Sequence, residues 1–200
     1  MREKNKTDFM LGLDEAGRGP WAGPMTASVV ILRKDTVLKT VKDSKKMTLE
    51  SREDAVDEIW NKAVYYKTGH VTSEEIDARG IANAWHDLTS ELLKGAYAKF
   101  PDVPGVVDGS VRVRGFNNVV ALPKADNIVL AASAASVLAK YRQTCYMEHF
   151  DTRYPKYGFR EHHGYGTKKH LEALERYGVC LIHRKSFLPI KKILSRFAGS

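Results

Sequence analysis

Cysteine and long apolar runs are scarce in this chain of 200 residues. It has two cysteines, Cys145 and Cys180, which are too few for a disulfide scaffold and are typical of a reducing compartment. The first eight residues contain no apolar signal core, and the longest apolar run, residues 128–132, is much shorter than a membrane-spanning helix. The sequence therefore predicts a cytoplasmic protein with no membrane partner.

The sequence also lacks internal repeats and low-complexity linkers. Its length suits one domain with a substantial core, and we expect residues 1–200 to form a single domain in which about 155–200 is a C-terminal, substrate-contacting helical part. Lysine and arginine outnumber aspartate and glutamate by 32 to 24, which gives a net charge of +8. This excess favours a polyanionic partner such as nucleic acid, although solubility alone would also account for it.

Hydropathy and turn residues predict an α/β protein with a mixed sheet. Apolar and β-branched runs predict strands, whereas apolar residues at three- and four-residue spacing predict helices. The predicted strands are residues 9–13, 25–32, 63–71, 106–108 and 119–122. The predicted helices begin after Thr48 and at Ser73, and the later ones span residues 81–100, 127–154, 167–177 and 188–197.

A segment near the N-terminus combines two acids with small residues. Asp14 and Glu15 end the first predicted strand, and Gly17, Arg18 and Gly19 follow. Neighbours on a strand point to opposite faces, so both acids reach one site only if the backbone turns between or just after them. Glycine permits close approach of a ligand, and arginine suits phosphate. A solvated glycine-rich turn is the plainer interpretation, and the glycine spacing fits neither a P-loop nor a dinucleotide-binding loop.

Two further acids end strand-like segments, Asp108 and Asp126. Because strand ends of α/β folds meet at one edge of the sheet, we predict that Asp14, Glu15, Asp108 and Asp126 converge there. Carboxylates this close cannot all stay ionised without a cation, and their oxygens prefer Mg²⁺ or Mn²⁺. Two such ions about 4 Å apart activate water and stabilise a leaving oxygen in phosphodiester hydrolysis. Taken singly, Asp108 and Asp126 are more typical of turn and helix-cap residues.

A second set of metal-binding residue types lies in the C-terminal half. Cys145 and His149 are one helical turn apart, and Cys180 and His183 are close in sequence. Together they have the composition of a zinc site, but neither pair has a zinc-finger spacing, and a buried cysteine usually serves as a small hydrophobic residue. The sequence favours the carboxylate site.

The chain resembles ribonuclease HII over about residues 9–197. The strongest likeness is the string Asp-Glu-Ala-Gly-Arg-Gly-Pro-x-Ala-Gly-Pro, which begins at Asp14. The family's other motifs follow in order at residues 42–47, 107–109, 124–126, 133–140, 157–167 and 183–187, the last being His183-Arg184-x-Ser186-Phe187.

The resemblance implies a fold and an activity. The implied fold is a ribonuclease H-like mixed five-stranded sheet flanked by helices, with a C-terminal helical extension. The implied activity is that of a monomeric endonuclease, dependent on Mg²⁺ or Mn²⁺. It would cleave the RNA strand of RNA–DNA hybrids, and duplex DNA at embedded ribonucleotides, leaving 5′-phosphate and 3′-hydroxyl ends.

The resemblance also implies roles for individual residues. The metal-binding and catalytic residues would be Asp14, Glu15, Asp108 and Asp126. The ribose would be recognised by Gly17, Arg18, Gly19 and Tyr165, since a phenol can bond to the 2′-hydroxyl while its ring stacks on sugar or base. The backbone phosphates would contact Ser44, Lys45 and Lys46.

The chain departs from the family pattern at three positions. Gln143 stands where an aspartate is usual, His163 where the loop carries a lysine, and Ser110 where an asparagine often follows Asp-Gly. With Gln143 in place of the aspartate, any role of that position in metal binding is in doubt. With His163 in place of the lysine, one phosphate contact is expected to be weaker or to depend on pH.

Three other functions stay open. Ribonuclease HIII usually has an extra N-terminal domain and a glutamate as its fourth acid, whereas this chain has about ten residues before the first motif, and Asp126. A hybrid-binding module without activity would not need all four acids. A basic structural protein with no site would tolerate Asp14→Asn with no more than a local change of charge.

Overall fold

Five strands form one mixed sheet in the order β3-β2-β1-β4-β5. The computed structural model describes residues 8–41 and 49–197. The strands are β1 (Phe9–Ala16), β2 (Met25–Arg33), β3 (Tyr65–Val71), β4 (Gly105–Asp108) and β5 (Val119–Leu122). β1 pairs with β4 in parallel, and β4 with β5, so these three strands end at the same edge of the sheet.

Helices account for most of the remaining described chain. They are α1 (Leu49–Lys62), α2 (Ser73–Arg79), α3 (Ile81–Tyr97), α4 (Leu130–Arg153), α5 (Phe159–His162), α6 (Lys168–Tyr177) and α7 (Leu188–Phe197). Thr167 caps the N-terminus of α6 by accepting a hydrogen bond from the His170 amide, and Gly178 ends that helix, as the sequence predicts. No helix in the described ranges is both long and apolar enough to cross a membrane.

The predicted order of strands and helices is confirmed, but several boundaries differ. β1 continues to Ala16, so both acids lie within the strand rather than after it. α4 begins at Leu130 instead of residue 127, because a 3-10 turn (Ala125–Asn127) precedes it. The motif at residues 157–167 contains the single-turn helix α5, which is not among the predicted helices. The predicted cap Thr48 lies outside the described residues.

The start of α4 lies directly against β1. A Cβ built on Gly12 would overlap backbone atoms of Ala131 and Ala132, so only glycine fits at this crossing. The small side chains of Ala131 and Ala132 suit this close approach to the sheet. Buried side chains of β2, α1 and α4 complete the core beside this contact, among them Val30, Val56, Ile59, Ala134 and Leu138.

Contacts divide the chain into two compact units. The first consists of the described residues within Met1–Glu15, Ala27–Gly69 and His86–Tyr141, and it contains most of the sheet. The second consists of those within Ala16–Thr26, His70–Trp85 and Arg142–Ser200. The second unit has its own apolar cluster, which includes Met147, Phe159, Leu174, Ile182 and Ile190.

Candidate active site

Three carboxylates of the first unit form an acidic cluster, Asp14, Asp108 and Asp126. One oxygen of each lies within 4.8 Å of the other two. Leu13 of β1 pairs with Val107 of β4 in parallel, so the next residues, Asp14 and Asp108, lie side by side towards the same edge of the sheet. Asp126 lies in the 3-10 turn after β5. The predicted convergence of strand-end acids is therefore observed for these three.

Hydrogen bonds hold the acidic cluster in place. The Asp108 carboxylate accepts a bond from the Ala125 amide at 2.7 Å, which ties β4 to the turn that carries Asp126. Lys124, just before this turn, has left-handed backbone with φ of 60°, a conformation that persists in non-glycine residues only where surrounding contacts impose it. The Ser136 hydroxyl of α4 donates to Asp14. No sequence motif identified Ser136 as a hydrogen-bond donor to Asp14.

Burial controls the protonation of Asp14. The side chain is 6 % exposed, and its pKa is raised to about 7, mainly by burial. The Ser136 hydrogen bond opposes this shift, while the charges of Glu15 and Asp108 add to it. A site that disfavours its own negative charge and offers only oxygen donors fits a hard divalent cation.

Glu15 does not join the acidic cluster at that distance. It follows Asp14 on an extended strand, where neighbouring side chains point to opposite faces. Its charge still raises the pKa of Asp14, so it lies near enough to act on the cluster electrostatically. Its role as a fourth metal ligand stays a prediction.

No zinc site forms from the cysteines and histidines of the described chain. Within residues 8–41 and 49–197, the acidic cluster is the only group of three or more histidine, cysteine or acidic side chains with suitable spacing. His183 instead lies 3.2 Å from the Cys180 sulfur and also bonds to main-chain and histidine partners. The carboxylate site stays the predicted metal site.

The glycine turn (residues 17–24) lies in the second unit, and a buried arginine holds it. Gly17 has φ of +80°, and a Cβ there would lie 2.8 Å from the Pro24 carbonyl oxygen, which only glycine avoids. Arg184, fully buried, donates to the carbonyl oxygens of Gly17 at 2.6 Å, Arg18 at 3.0 Å and Gly23 at 3.0 Å. The turn is therefore a fixed structure rather than a solvated linker.

The tyrosine loop (residues 157–167) also lies in the second unit and meets the glycine turn. The Tyr165 side chain is 50 % exposed, while its backbone carbonyl accepts bonds from the Thr167 amide and His170 Nδ1. A Cβ placed on Gly19 would lie 3.5 Å from Cε1 of the Tyr165 ring. The structure thus brings together two of the predicted ribose-contacting residues, Gly19 and Tyr165.

Three buried histidines support the tyrosine loop, and the sequence did not predict this role for any of them. His162 donates from Nε2 to the Tyr157 carbonyl at 2.8 Å and accepts from the Gly164 amide. His170 and His183 meet through their Nε2 atoms at 3.0 Å. Burial lowers the pKa of His170 to about 4 and that of His183 to about 3, so both are neutral at neutral pH.

Of the remaining predicted positions, Gln143 is described by the structure and three others are not. Gln143 is buried, and its Nε2 donates to the His163 carbonyl at 3.4 Å. Its Cγ lies 3.1 Å from where a Gly17 Cβ would be, so it packs between the glycine turn and the tyrosine loop. The phosphate-binding candidates Ser44, Lys45 and Lys46 lie outside the described residues.

A mixed five-stranded sheet with an acidic cluster at its strand ends, on a basic chain, defines a metal-dependent nuclease of the ribonuclease H-like class. Comparison with known proteins narrows this class. The sequence profile of ribonuclease HII matches residues 11–189. The ribonuclease HII of Clostridioides difficile (strain 630) is 43% identical over 188 residues, covering 90% of this chain and 70% of that protein. The ribonuclease HII of Francisella tularensis subsp. novicida (strain U112) is 39% identical over 187 residues, covering 93% and 100%.

The fold agrees with these sequence matches. The crystal structure of ribonuclease H2 from Pyrococcus horikoshii OT3 superposes with a TM-score of 0.77 at 27% identity, covering 96% of this chain and 100% of that one. The chain belongs to the ribonuclease HII family. It is accordingly a metal-dependent endoribonuclease that acts on RNA–DNA substrates.

Proposed function

We propose that this protein cleaves the RNA strand of RNA–DNA hybrids and also cuts duplex DNA at single embedded ribonucleotides. The products carry 5′-phosphate and 3′-hydroxyl ends, the cofactor is Mg²⁺ or Mn²⁺, and the enzyme acts as a monomer. The acidic cluster is the observation that carries the hydrolytic part, because three carboxylates within 4.8 Å need a cation to remain ionised together.

The residues of the acidic cluster would hold the cations, and Glu15 would complete the set. A pair of divalent ions, when bound, supplies the charge that activates water and stabilises the leaving oxygen. Asp108 and Asp126 are held relative to each other through the Ala125 amide, and Asp14 through Ser136. This preorganisation means that little rearrangement is needed when substrate arrives.

Recognition of the ribose is assigned to Gly17, Arg18, Gly19 and Tyr165. The Tyr165 side chain is half exposed and its backbone is held by His170, so little backbone ordering is needed when the phenol bonds to a 2′-hydroxyl. Arg18 lies with its guanidinium 5.6 Å from the centre of the Trp85 ring, which orients a cation for phosphate. Ser44, Lys45 and Lys46 are proposed as further phosphate contacts.

The test removes only the phenol oxygen, by Tyr165→Phe. The loss of one hydrogen bond, about 0.5–1.5 kcal/mol net, should reduce kcat/KM several-fold on a DNA duplex with one ribonucleotide. A full hybrid should suffer less, because it offers many registers and a helical shape as additional cues. The measurement is kcat/KM on both substrates at fixed salt, with gel analysis of the product ends.

Tyr177→Phe serves as the matched control, since Tyr177 is a partly exposed tyrosine at the end of α6. It should leave both rates unchanged. Equal, small losses for Tyr165→Phe on the two substrates would mean that Tyr165 is a packing residue. Failure of the wild-type enzyme to cut the single-ribonucleotide duplex would refute the wider substrate range.

A further inference from the structure

Hydrogen bonds connect the dipeptide His183-Arg184 to both segments assigned to ribose recognition, directly to the glycine turn and through His170 to the tyrosine loop. On the arginine side, the guanidinium donates to main-chain oxygens of the glycine turn. Nη2 donates to Gly17 and Gly23, Nη1 to Arg18, and Nε to Gly23, at 2.6–3.0 Å. Burial lowers the pKa of Arg184 to about 10, so the group remains a cation at neutral pH.

These bonds determine which way the turn's amide groups point. The described chain contains no cis peptide bonds, and in a trans peptide the C=O and the following N–H point in opposite directions. Because the carbonyls of Gly17 and Arg18 point at Arg184, the amides of Arg18 and Gly19 are directed away from it. Two successive amides directed the same way form a concave donor surface for an oxygen ligand.

On the histidine side, a chain of hydrogen bonds reaches Tyr165. His170 Nδ1 faces the Tyr165 carbonyl at 2.9 Å and must donate, so its neutral ring accepts at Nε2. His183 therefore donates from Nε2, and its Nδ1 accepts from the Cys180 amide at 2.9 Å. Every ring nitrogen of the pair has a partner, and each tautomer is specified by the next group along the chain.

The dipeptide is itself fixed from both sides. The Arg184 amide donates to the Trp21 carbonyl at 2.8 Å, and the Trp21 amide donates to the Gly164 carbonyl at 2.7 Å. On the C-terminal side, the carboxylate of Asp77 in α2 accepts from the amides of Lys185 at 2.7 Å and Ser186 at 2.8 Å. The dipeptide thus has little freedom to move independently of the glycine turn and the tyrosine loop.

We propose that His183 and Arg184 are positioning residues for ribose recognition. Arg184 orients the peptide planes of residues 17–19, and His183 holds Tyr165 through His170. Neither residue needs to touch the substrate. The inference rests on the proposed function, which identifies the residues that recognise ribose. Loss of this positioning should lower cleavage of every substrate that contains ribose.

Arg184→Lys tests the arginine half. Lysine keeps the charge but cannot present the planar fork that bonds three carbonyls at once. A displacement of the turn by about 1 Å should lower kcat/KM on the hybrid about 100-fold. Binding to an all-DNA duplex, measured in chelator, should stay within about twofold because it depends on phosphate charge.

Leu174→Ala is the matched control for lost stability. Leu174 is fully buried in the apolar cluster of the second unit and is assigned no contact with substrate. At a temperature where both variants are folded, Leu174→Ala should retain the wild-type hybrid rate. Each variant is also assayed at the same interval below its own unfolding midpoint. If the two variants then lose hybrid cleavage equally, Arg184 has no positioning role.

The histidine half is tested by a pair of substitutions at position 183. His183→Phe keeps a ring but removes the donor to His170, whereas His183→Gln retains an N–H near the same place. Hybrid cleavage should fall in the Phe variant and recover in the Gln variant. Independently of activity, ¹⁵N NMR of the wild-type side chains should show the proton of His170 on Nδ1 and that of His183 on Nε2.

The outcomes separate this inference from the function on which it rests. A wild-type enzyme that does not cut at single ribonucleotides refutes the proposed substrate range, while the hybrid arm still tests positioning. If the Phe variant shows full hybrid activity, or if wild-type His170 carries its proton on Nε2, the inference fails even though the proposed function stands.

Discussion

Asp108 combines charge with a structural hydrogen bond, and two substitutions separate these contributions. Its carboxylate belongs to the acidic cluster and also accepts from the Ala125 amide. Asp108→Asn keeps an acceptor oxygen but loses the charge, so we expect activity to fall at least about 100-fold with little loss of stability. Asp108→Ala should lose the same activity and, in addition, about 1–3 kcal/mol of unfolding free energy, because the amide is left without its partner.

The measurement is hybrid cleavage in Mg²⁺ and in Mn²⁺, together with urea unfolding in chelator. Asp102→Asn changes the same charge on an exposed acid of the same unit and should affect neither quantity. If Asp108→Asn retains activity, Asp108 is not a metal ligand. Equal stability of the Asn and Ala variants would show that the bond to Ala125 contributes nothing to folding.

Individual site residues were predictable where their chemistry is local. Asp14, Asp108 and Asp126 each follow an apolar run that forms a strand, so their meeting follows from the topology of the sheet. Ser136 and Arg184 were not predictable as partners, because each acts on a residue more than a hundred positions away. Nothing in the composition around Arg184 distinguishes a buried arginine from the many exposed ones.

At the scale of elements, the predicted strands and helices agree with the structure except where contacts distant in sequence determine the start or the existence of a helix. The Asp108 carboxylate binds the amide of Ala125, the first residue of the 3-10 turn, and α4 begins only after that turn. Helix propensity alone places the start of α4 earlier. α5 is a single turn whose residues Phe159 and His162 are buried, and its local sequence of glycines and histidines gives no helical periodicity. Its existence depends on burial against the rest of the second unit.

The histidine pair of α6 and the segment after it should make the second unit sensitive to acid. The pKa values of His170, about 4, and His183, about 3, are below the ordinary value of 6.5. For each histidine, at a pH between its folded pKa and the ordinary value of 6.5, the unfolded chain binds a proton that the folded chain excludes. The free energy of unfolding therefore falls as the pH falls. The slope is at most about 1.4 kcal/mol per pH unit for each histidine.

His183→Gln should make this decline shallower by the contribution of one imidazole. Asp14 acts in the opposite sense, because its pKa is raised from 3.8 to about 7 and the folded chain gains a proton on acidification. Since Asp14 is present in both proteins, the difference between their urea-unfolding curves isolates His183. Parallel curves for the two proteins from neutral to acidic pH would contradict the burial of a neutral imidazole there.

At the scale of the whole molecule, the excess of positive charge should make substrate binding strongly dependent on salt. Each phosphate neutralised contributes about 0.9 to the slope of log K against log salt. α7 buries Ile190 and Ile193 while it exposes Lys191 and Lys192, which suits a helix that contacts phosphates. The double substitution Lys191→Gln and Lys192→Gln should reduce the slope by about 1 to 2.

The comparison variant is Lys67→Gln, since Lys67 is also exposed but pairs with Glu91 at 2.9 Å. Fluorescence anisotropy with a hybrid in chelator, over a series of salt concentrations, gives the slope for each protein. If the double variant and Lys67→Gln have the slope of the wild type, α7 does not contact the backbone.

The bonds from Arg184 to the glycine turn join residues 161 to 167 positions apart. During synthesis, the turn leaves the ribosome well before Arg184 is made, and until then its carbonyl groups lack their guanidinium partner. The residues of the acidic cluster and their partner Ser136 are complete well before then. A nascent chain therefore has these carboxylates before it can fix the glycine turn, on which the proposed recognition of ribose depends.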